Sequence, residues 1–219
     1  ILSGHFQART ESPMDMPASA VPYFSQWETP EMTLAVVAEG EAALLNDPKW
    51  AQSGADTVEE YAHWAANLCG MACLKMILAS RGALHPIMTL ARAATDYGGY
   101  VVSADGASIK GLIYAPFVRM VAERFGLKAE VVTGIEAAQL PVLLSRFPFF
   151  MASVHHSIRW PDSEPPSKGG HLVLVTAATP DAVRFHNPSG HQRDTQADVV
   201  LPLADFARFF ANRGIAVGF

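Results

Sequence analysis

The chain changes character near residue 146, and that change limits the architectures open to it. Before it, helix caps and helically spaced apolar residues dominate. After it come short apolar runs bounded by turn residues, which is the signature of strands. Strands are predicted over residues 149–155, 171–178, 183–186, 199–201 and 215–219, with Thr179-Pro180-Asp181 as the turn between the second and third. One late helix is predicted over 205–212, closed by Gly214. Helices first and strands afterwards, without regular alternation, predict an α+β fold in which a helical N-terminal half packs on an antiparallel sheet from the C-terminal half.

Within the first half, residues 1–20 lack periodicity and read as an extended arm, and residues 21–219 read as a single domain. The aromatic stretch 21–27 is a short strand or an anchored turn. A helix over 34–45 is broken by Asn46-Asp47-Pro48. Thr57 followed by Glu60 is a capping-box pattern opening a helix to about residue 66. Asn67-Leu68 interrupts it. A second helix over 69–80 carries Ala72, Cys73, Met76, Ile77 and Ser80 at helical spacing and stops at Gly82. Pro86 opens another, ending near Gly98-Gly99, and 116–125 forms a further one closed by Gly126. Thr133 and Glu136 make a second capping-box pattern ahead of Pro141. Residues 163–170 read as a flexible loop immediately before His171.

Composition sets the class. With 219 residues, 50% hydrophobic and 17% charged, the chain is globular rather than disordered. The net charge of −5 and the lack of a Lys/Arg cluster argue against nucleic acid or an anionic membrane as partner. The longest apolar runs are of strand length, far short of the roughly 20 residues that span a bilayer. The two cysteines, Cys69 and Cys73, lie in one predicted helix with poor geometry for a disulfide. A chain without a disulfide framework is expected in a reducing compartment, the cytoplasm. It begins at Ile1 rather than Met, and a removed signal peptide would leave no trace.

Four residues carry candidate chemistry. A single cysteine is more often a small buried hydrophobe, and Cys73 fits that description. Cys69 differs because it opens a helix, where unpaired N–H groups and the macrodipole favour the thiolate. Gly70 is expected to let a substrate backbone approach. A nucleophilic thiol needs a base, and His171 follows Gly169-Gly170 and opens an apolar strand that fixes its direction. The base needs an orienting group; Asn187 ends the next strand, although simple hairpin register sets it opposite residues near Leu174. The Cys69 N–H and the Gln26 amide are the candidate oxyanion donors. His155-His156, His171, His186 and His191 lack metal-ligand spacing, so neither metal nor cofactor is expected.

In this order the pieces resemble the C39-like group of papain-like cysteine peptidases. The matching segments are VPYFSQ (21–26), LCGMACLKMIL (68–78), GGHLVLVTAATPDAVRFHNPSG (169–190) and LADFARFFANRGIAV (203–217). The resemblance implies a papain-like fold with Cys69 as nucleophile, His171 as base, Asn187 as orienting residue and Gln26 in the oxyanion hole. It departs from the family in two places. The third member is Asn where Asp is commoner, and 42 residues separate Gln26 from Cys69. Gln52, His63 and Asn67 therefore stand as alternatives to Gln26. The long segment 27–68 reads as an insertion near the cleft, with Trp27, Trp50, Tyr61 and Trp64 as pocket or core aromatics. The implied activity is hydrolysis of a peptide or other amide through a thioester. The alternatives are amide-forming acyl transfer by the same residues and a non-catalytic peptide-binding module. Prompt alkylation of Cys69 near pH 6, ahead of Cys73, is the expected sign of a thiolate–imidazolium pair.

Overall fold

The structure, a computed structural model, describes residues 16–219; most of the predicted N-terminal arm lies outside them. The helices are α1 (Thr33–Glu39), α2 (Glu41–Leu44), α3 (Val58–Ala65), α4 (Cys69–Ala79), α5 (Ile87–Asp96), α6 (Tyr114–Phe125), α7 (Leu140–Leu144) and α8 (Leu203–Phe209). Two short strands, β1 (Val101–Val102) and β2 (Ile109–Lys110), form a hairpin. The main sheet contains β3 (Lys128–Thr133), β4 (Phe149–Val154), β5 (His171–Ala178), β6 (Ala182–His186), β7 (Val199–Pro202) and β8 (Phe210–Gly218). Its order is β3-β8-β4-β5-β6-β7, and every pairing is antiparallel. The expected α+β arrangement is present.

Both faces of the sheet are covered, which explains why its central strands read as continuous apolar runs. Successive side chains point to opposite faces. Met151, Leu172, Leu174, Ile215 and Val217 therefore pack with α4, α5 and α6. Phe150, Ala152, Val173, Val175 and Ala216 pack with α7 and α8. Helix α4 is the central helix: every residue from Gly70 to Leu78 is buried. Even Lys75 is nearly covered, its ammonium 3.6 Å from Glu28 and over the Phe24 ring. A third apolar cluster, around Trp27, Leu44 and Tyr61, belongs to segment 27–68. Asp47 ties it together, accepting from Thr29 and from the Tyr61 hydroxyl.

Five local features differ from the sequence expectations. The late helix ends at Phe209 instead of continuing to residue 212, because Phe210 turns extended and joins a ladder between β3 and β4. Strand β3 escaped the sequence reading because it is an edge strand with polar, exposed positions such as Lys128, which is how edges are protected from further pairing. At the second capping box the cap is Glu136, paired with Gln139, while Thr133 ends β3. Pro86 is the N-cap of α5 rather than its first-turn residue. The first capping pattern forms differently from its simple form: Thr57 accepts from the Glu60 N–H, but Glu60 reaches back to the Asp56 N–H.

Candidate active site

Helix α4 opens at Cys69 after the break at Leu68, and no side chain caps its first turn. The N–H groups of Cys69 and Gly70 thus face the end of the helix unpaired by a cap. Cys69 is half-buried and lines a cleft of about 350 Å³. His171, Leu172, Ser153, Gly170 and Arg213 form part of its wall, and Gly111, Leu112 and Tyr114 complete it. Cys73, one turn further on, is fully buried with its thiol toward the Leu172 carbonyl.

His171 is the first residue of β5 and is also buried. Its Nε2 lies 2.9 Å from Asn187 Oδ1. The amide orientation of Asn187 is fixed independently, because the Ser189 N–H donates to the same oxygen at 3.1 Å. An amide oxygen bears no hydrogen and can only accept, so His171 Nε2 carries the hydrogen. That leaves Nδ1 as the basic nitrogen.

Simple register does not bring Asn187 this close. A bulge in the β5–β6 hairpin does part of the work: Val175 pairs with Phe185 and Ala177 with Arg184, leaving Thr176 extra. The extra residue shifts Asn187 one position toward His171. Beyond β6 the backbone of Asn187 is held on both sides: its N–H donates to the Gln196 carbonyl, and its own carbonyl accepts from the Tyr23 hydroxyl. Segment 21–27 is therefore an anchored segment, docked further by Gln26 N–H and Ser25 Oγ on the Pro188 carbonyl.

Two neighbours of the pair were missed in the sequence. Ser189 Oγ sits 3.2 Å from His171 Nε2, and Arg159 donates to that hydroxyl at 2.9 Å. Arg159 is buried and has no carboxylate partner among the described residues; its other contacts are the His156 carbonyl and the Trp160 ring. The Ser two residues after Asn187 was a legible turn signal. Nothing in the sequence marked Arg159.

Burial works against charge on both members of the pair. Burial pushes the Cys69 thiol up, and the N–H groups of Leu172, Gly70 and Cys69 itself offset only part of that. Burial pulls the His171 imidazole down to about 3; the bond to Asn187 opposes the shift, and the Arg159 charge reinforces it. Desolvation thus works against the thiolate–imidazolium pair that the sequence leads one to expect, and the helix start works for it.

Gln26 is placed otherwise than expected. Its amide nitrogen donates to the carbonyls of Ala65 and Ala66, at 2.9 and 3.2 Å, and it does not line the cleft. Both amide protons are spent on the C-terminus of α3, and Oε1 is buried without a partner. Gln52, His63 and Asn67 are likewise absent from the lining. The backbone N–H groups at the uncapped start of α4 remain as candidate oxyanion donors. Gly70 makes no room for substrate either: a Cβ there would come 2.7 Å from Leu112 Cδ2 and 3.2 Å from Leu172 Cδ1. Gly111, Leu112 and Tyr114, not segment 27–68, wall the cleft. Trp27 and Tyr61 are core, Trp64 stacks edge-on against Tyr100, and Trp50 packs on the third cluster.

The loop before His171 is tied to α8, with Arg208 on Glu164 and the Pro161 carbonyl and Lys168 on the Ala207 carbonyl. His155 and His156 do not diverge as strand neighbours would; β4 ends at Val154 and their rings lie 4.1 Å apart. Among the described residues no group of three His, Cys, Asp or Glu is arranged to hold a metal ion.

No family model matches the chain, and no curated protein matches it in sequence. Among solved structures it is similar to the peptidase domain of Streptococcus ComA, a bi-functional ABC transporter involved in a quorum-sensing pathway. That likeness has 13% identity and a TM-score of 0.48, over 70% of this chain and 92% of that one. It is also similar to a double glycine motif protease from an AMS/PCAT transporter, solved in complex with the leader peptide. Identity there is 21% and the TM-score 0.41, over 68% of this chain and 82% of that one.

Proposed function

We propose that this chain is a C39-like, papain-type thiol hydrolase that cleaves a peptide or other amide bond through Cys69, His171 and Asn187. The observation that carries the reading is the buried His171 Nε2–Asn187 Oδ1 bond, which frees Nδ1 on a cleft shared with Cys69 at a helix start.

The steps balance with these groups alone. As the Cys69 sulfur attacks the substrate carbonyl carbon, its proton passes to His171 Nδ1. The oxyanion is met by the N–H groups of Cys69 and Gly70. The C–N bond breaks, and His171 returns the proton to the leaving amine. A thioester remains on Cys69. Water then attacks it, giving its proton to His171, and the C–S bond breaks to release the acid and the thiol. Asn187 holds the ring in the tautomer that this requires.

The test is activity toward a peptide library read by mass spectrometry. Cys69→Ala is expected to abolish turnover, and His171→Ala to cost about 10²–10⁴-fold. Asn187→Ala is expected to cost less than His171→Ala, since it removes orientation and leaves the base. Full activity in either of the first two variants contradicts the reading. Adding an amine to the same assay separates hydrolysis from acyl transfer by product mass.

A further inference from the structure

The cleft carries one cationic side chain, Arg213, and no acidic residue lines it. Arg213 is exposed and makes no ion pair among the described residues. Its placement is built into the fold. Along β8, Phe210 pairs with Val154 and Gly214 with Ala152, so residues 211–213 stand opposite Ser153 alone. Such a bulge re-aims side chains toward a site. Asn212 adopts φ 56 within it, and its carbonyl accepts from the Ile135 N–H at 3.1 Å. Gly169, at φ +87, leaves the space the guanidinium occupies. A Cβ there would lie 3.2 Å from an Arg213 terminal nitrogen, 3.2 Å from Ser153 Oγ and 3.1 Å from Ala211 Cβ.

Strand order sets the direction. Asn187 follows β6, on one side of His171, while Arg213 lies on β8, across β4 on the other side. We infer that Arg213, with Ser153 beside it, is a carboxylate-binding subsite that selects substrates with an acidic group close to the scissile amide. The inference rests on the thiol-hydrolase reading above. A guanidinium presents a planar fork that matches a carboxylate bidentately, and no internal carboxylate competes for it in the cleft. The ligand is either an acidic side chain or a C-terminal carboxylate, since the two share this chemistry.

Four chloroacetyl reagents test it: the α-amides of chloroacetyl-glutamate and chloroacetyl-glutamine, then chloroacetyl-glycine and chloroacetyl-glycinamide. In each the Cys69 sulfur displaces chloride and its proton leaves to His171. Labelling rates of Cys69 are read by mass spectrometry at low ionic strength. At least one carboxylate reagent is expected to react about tenfold faster than its neutral match. That ratio is expected to fall to about one in Arg213→Gln, to be intermediate in Arg213→Lys, and to shrink in salt. A gain confined to the glutamate pair assigns a side chain; a gain confined to the glycine pair assigns a C-terminus. Equal rates within both pairs, or a ratio that survives Arg213→Gln, overturn the inference. The neutral reagents test the underlying reading separately: if they label Cys69 no faster in the wild type than in His171→Ala, the hydrolase reading fails whatever the charge ratio.

Discussion

Asn187 reached the base through contacts at two ranges, and only the nearer one was legible. Asn-Pro-Ser-Gly after a strand reads locally as a turn, and Ser189 completes it by donating its N–H to Asn187 Oδ1. Arg159, 30 residues from Ser189 in sequence, completes the network from a distance that no local pattern reports. The same limit explains Gln26. Its residue type fits an oxyanion donor, but the carbonyls that take its amide lie 39 and 40 residues away, at the end of α3. Arg159 gives the residue-scale prediction. Its charge helps keep the His171 imidazole low. Removing it in Arg159→Met lets the imidazole protonate at higher pH, so the acid limb of the kcat/KM profile is expected to move up. Arg159→Lys keeps the charge and is expected to leave the limb near its wild-type position. A limb unmoved in Arg159→Met contradicts this coupling.

The elements that position the site were the most legible part of the chain. The apolar period of α4 and the continuous apolar run of β5 are strong signals, and both elements start at the residue that matters, Cys69 and His171. What stayed hidden were departures from regularity. The bulge at Thr176 and the wider one at residues 211–213 come from pairing across the sheet, which sequence spacing does not show. The packing of α4 on its neighbours is close enough to test directly. Gly70→Ala places a methyl against Leu112 and Leu172, and overpacking a tight core costs about 1–3 kcal/mol. Chemical denaturation is expected to show that loss. An unchanged midpoint indicates that Leu112 yields freely.

Across the whole molecule, burying neutral histidines makes the fold sensitive to acid. Burial holds His171 at about 3 and also lowers His186 below the ordinary histidine value. The unfolded chain binds these protons near pH 6.5, and the folded chain does not. The stabilisation is therefore fully present above about pH 6.5 and is lost as pH falls toward the folded values. For each histidine that titrates only when unfolded, the loss is about 1.4 kcal/mol per pH unit. Urea midpoints measured from pH 7 to pH 4 are expected to decline, and His171→Gln is expected to decline less steeply. The α+β segregation was visible in the sequence because period is a local property. The cleft's far wall, at Gly111, Leu112, Tyr114 and Arg213, was not, because it is assembled from segments about a hundred residues apart.

The most direct test of the central claim is the rate at which iodoacetamide labels Cys69 in the native chain, followed by intact mass and peptide mapping, in the wild type and in His171→Gln. A base that shares the cleft with the thiol predicts one adduct, on Cys69, with Cys73 protected until unfolding. It also predicts a Cys69 rate that falls by about 10²-fold or more without the imidazole. A Cys69 rate that is the same in both proteins, and no greater than that of an ordinary thiol, contradicts an acyl-transfer centre at Cys69 and His171.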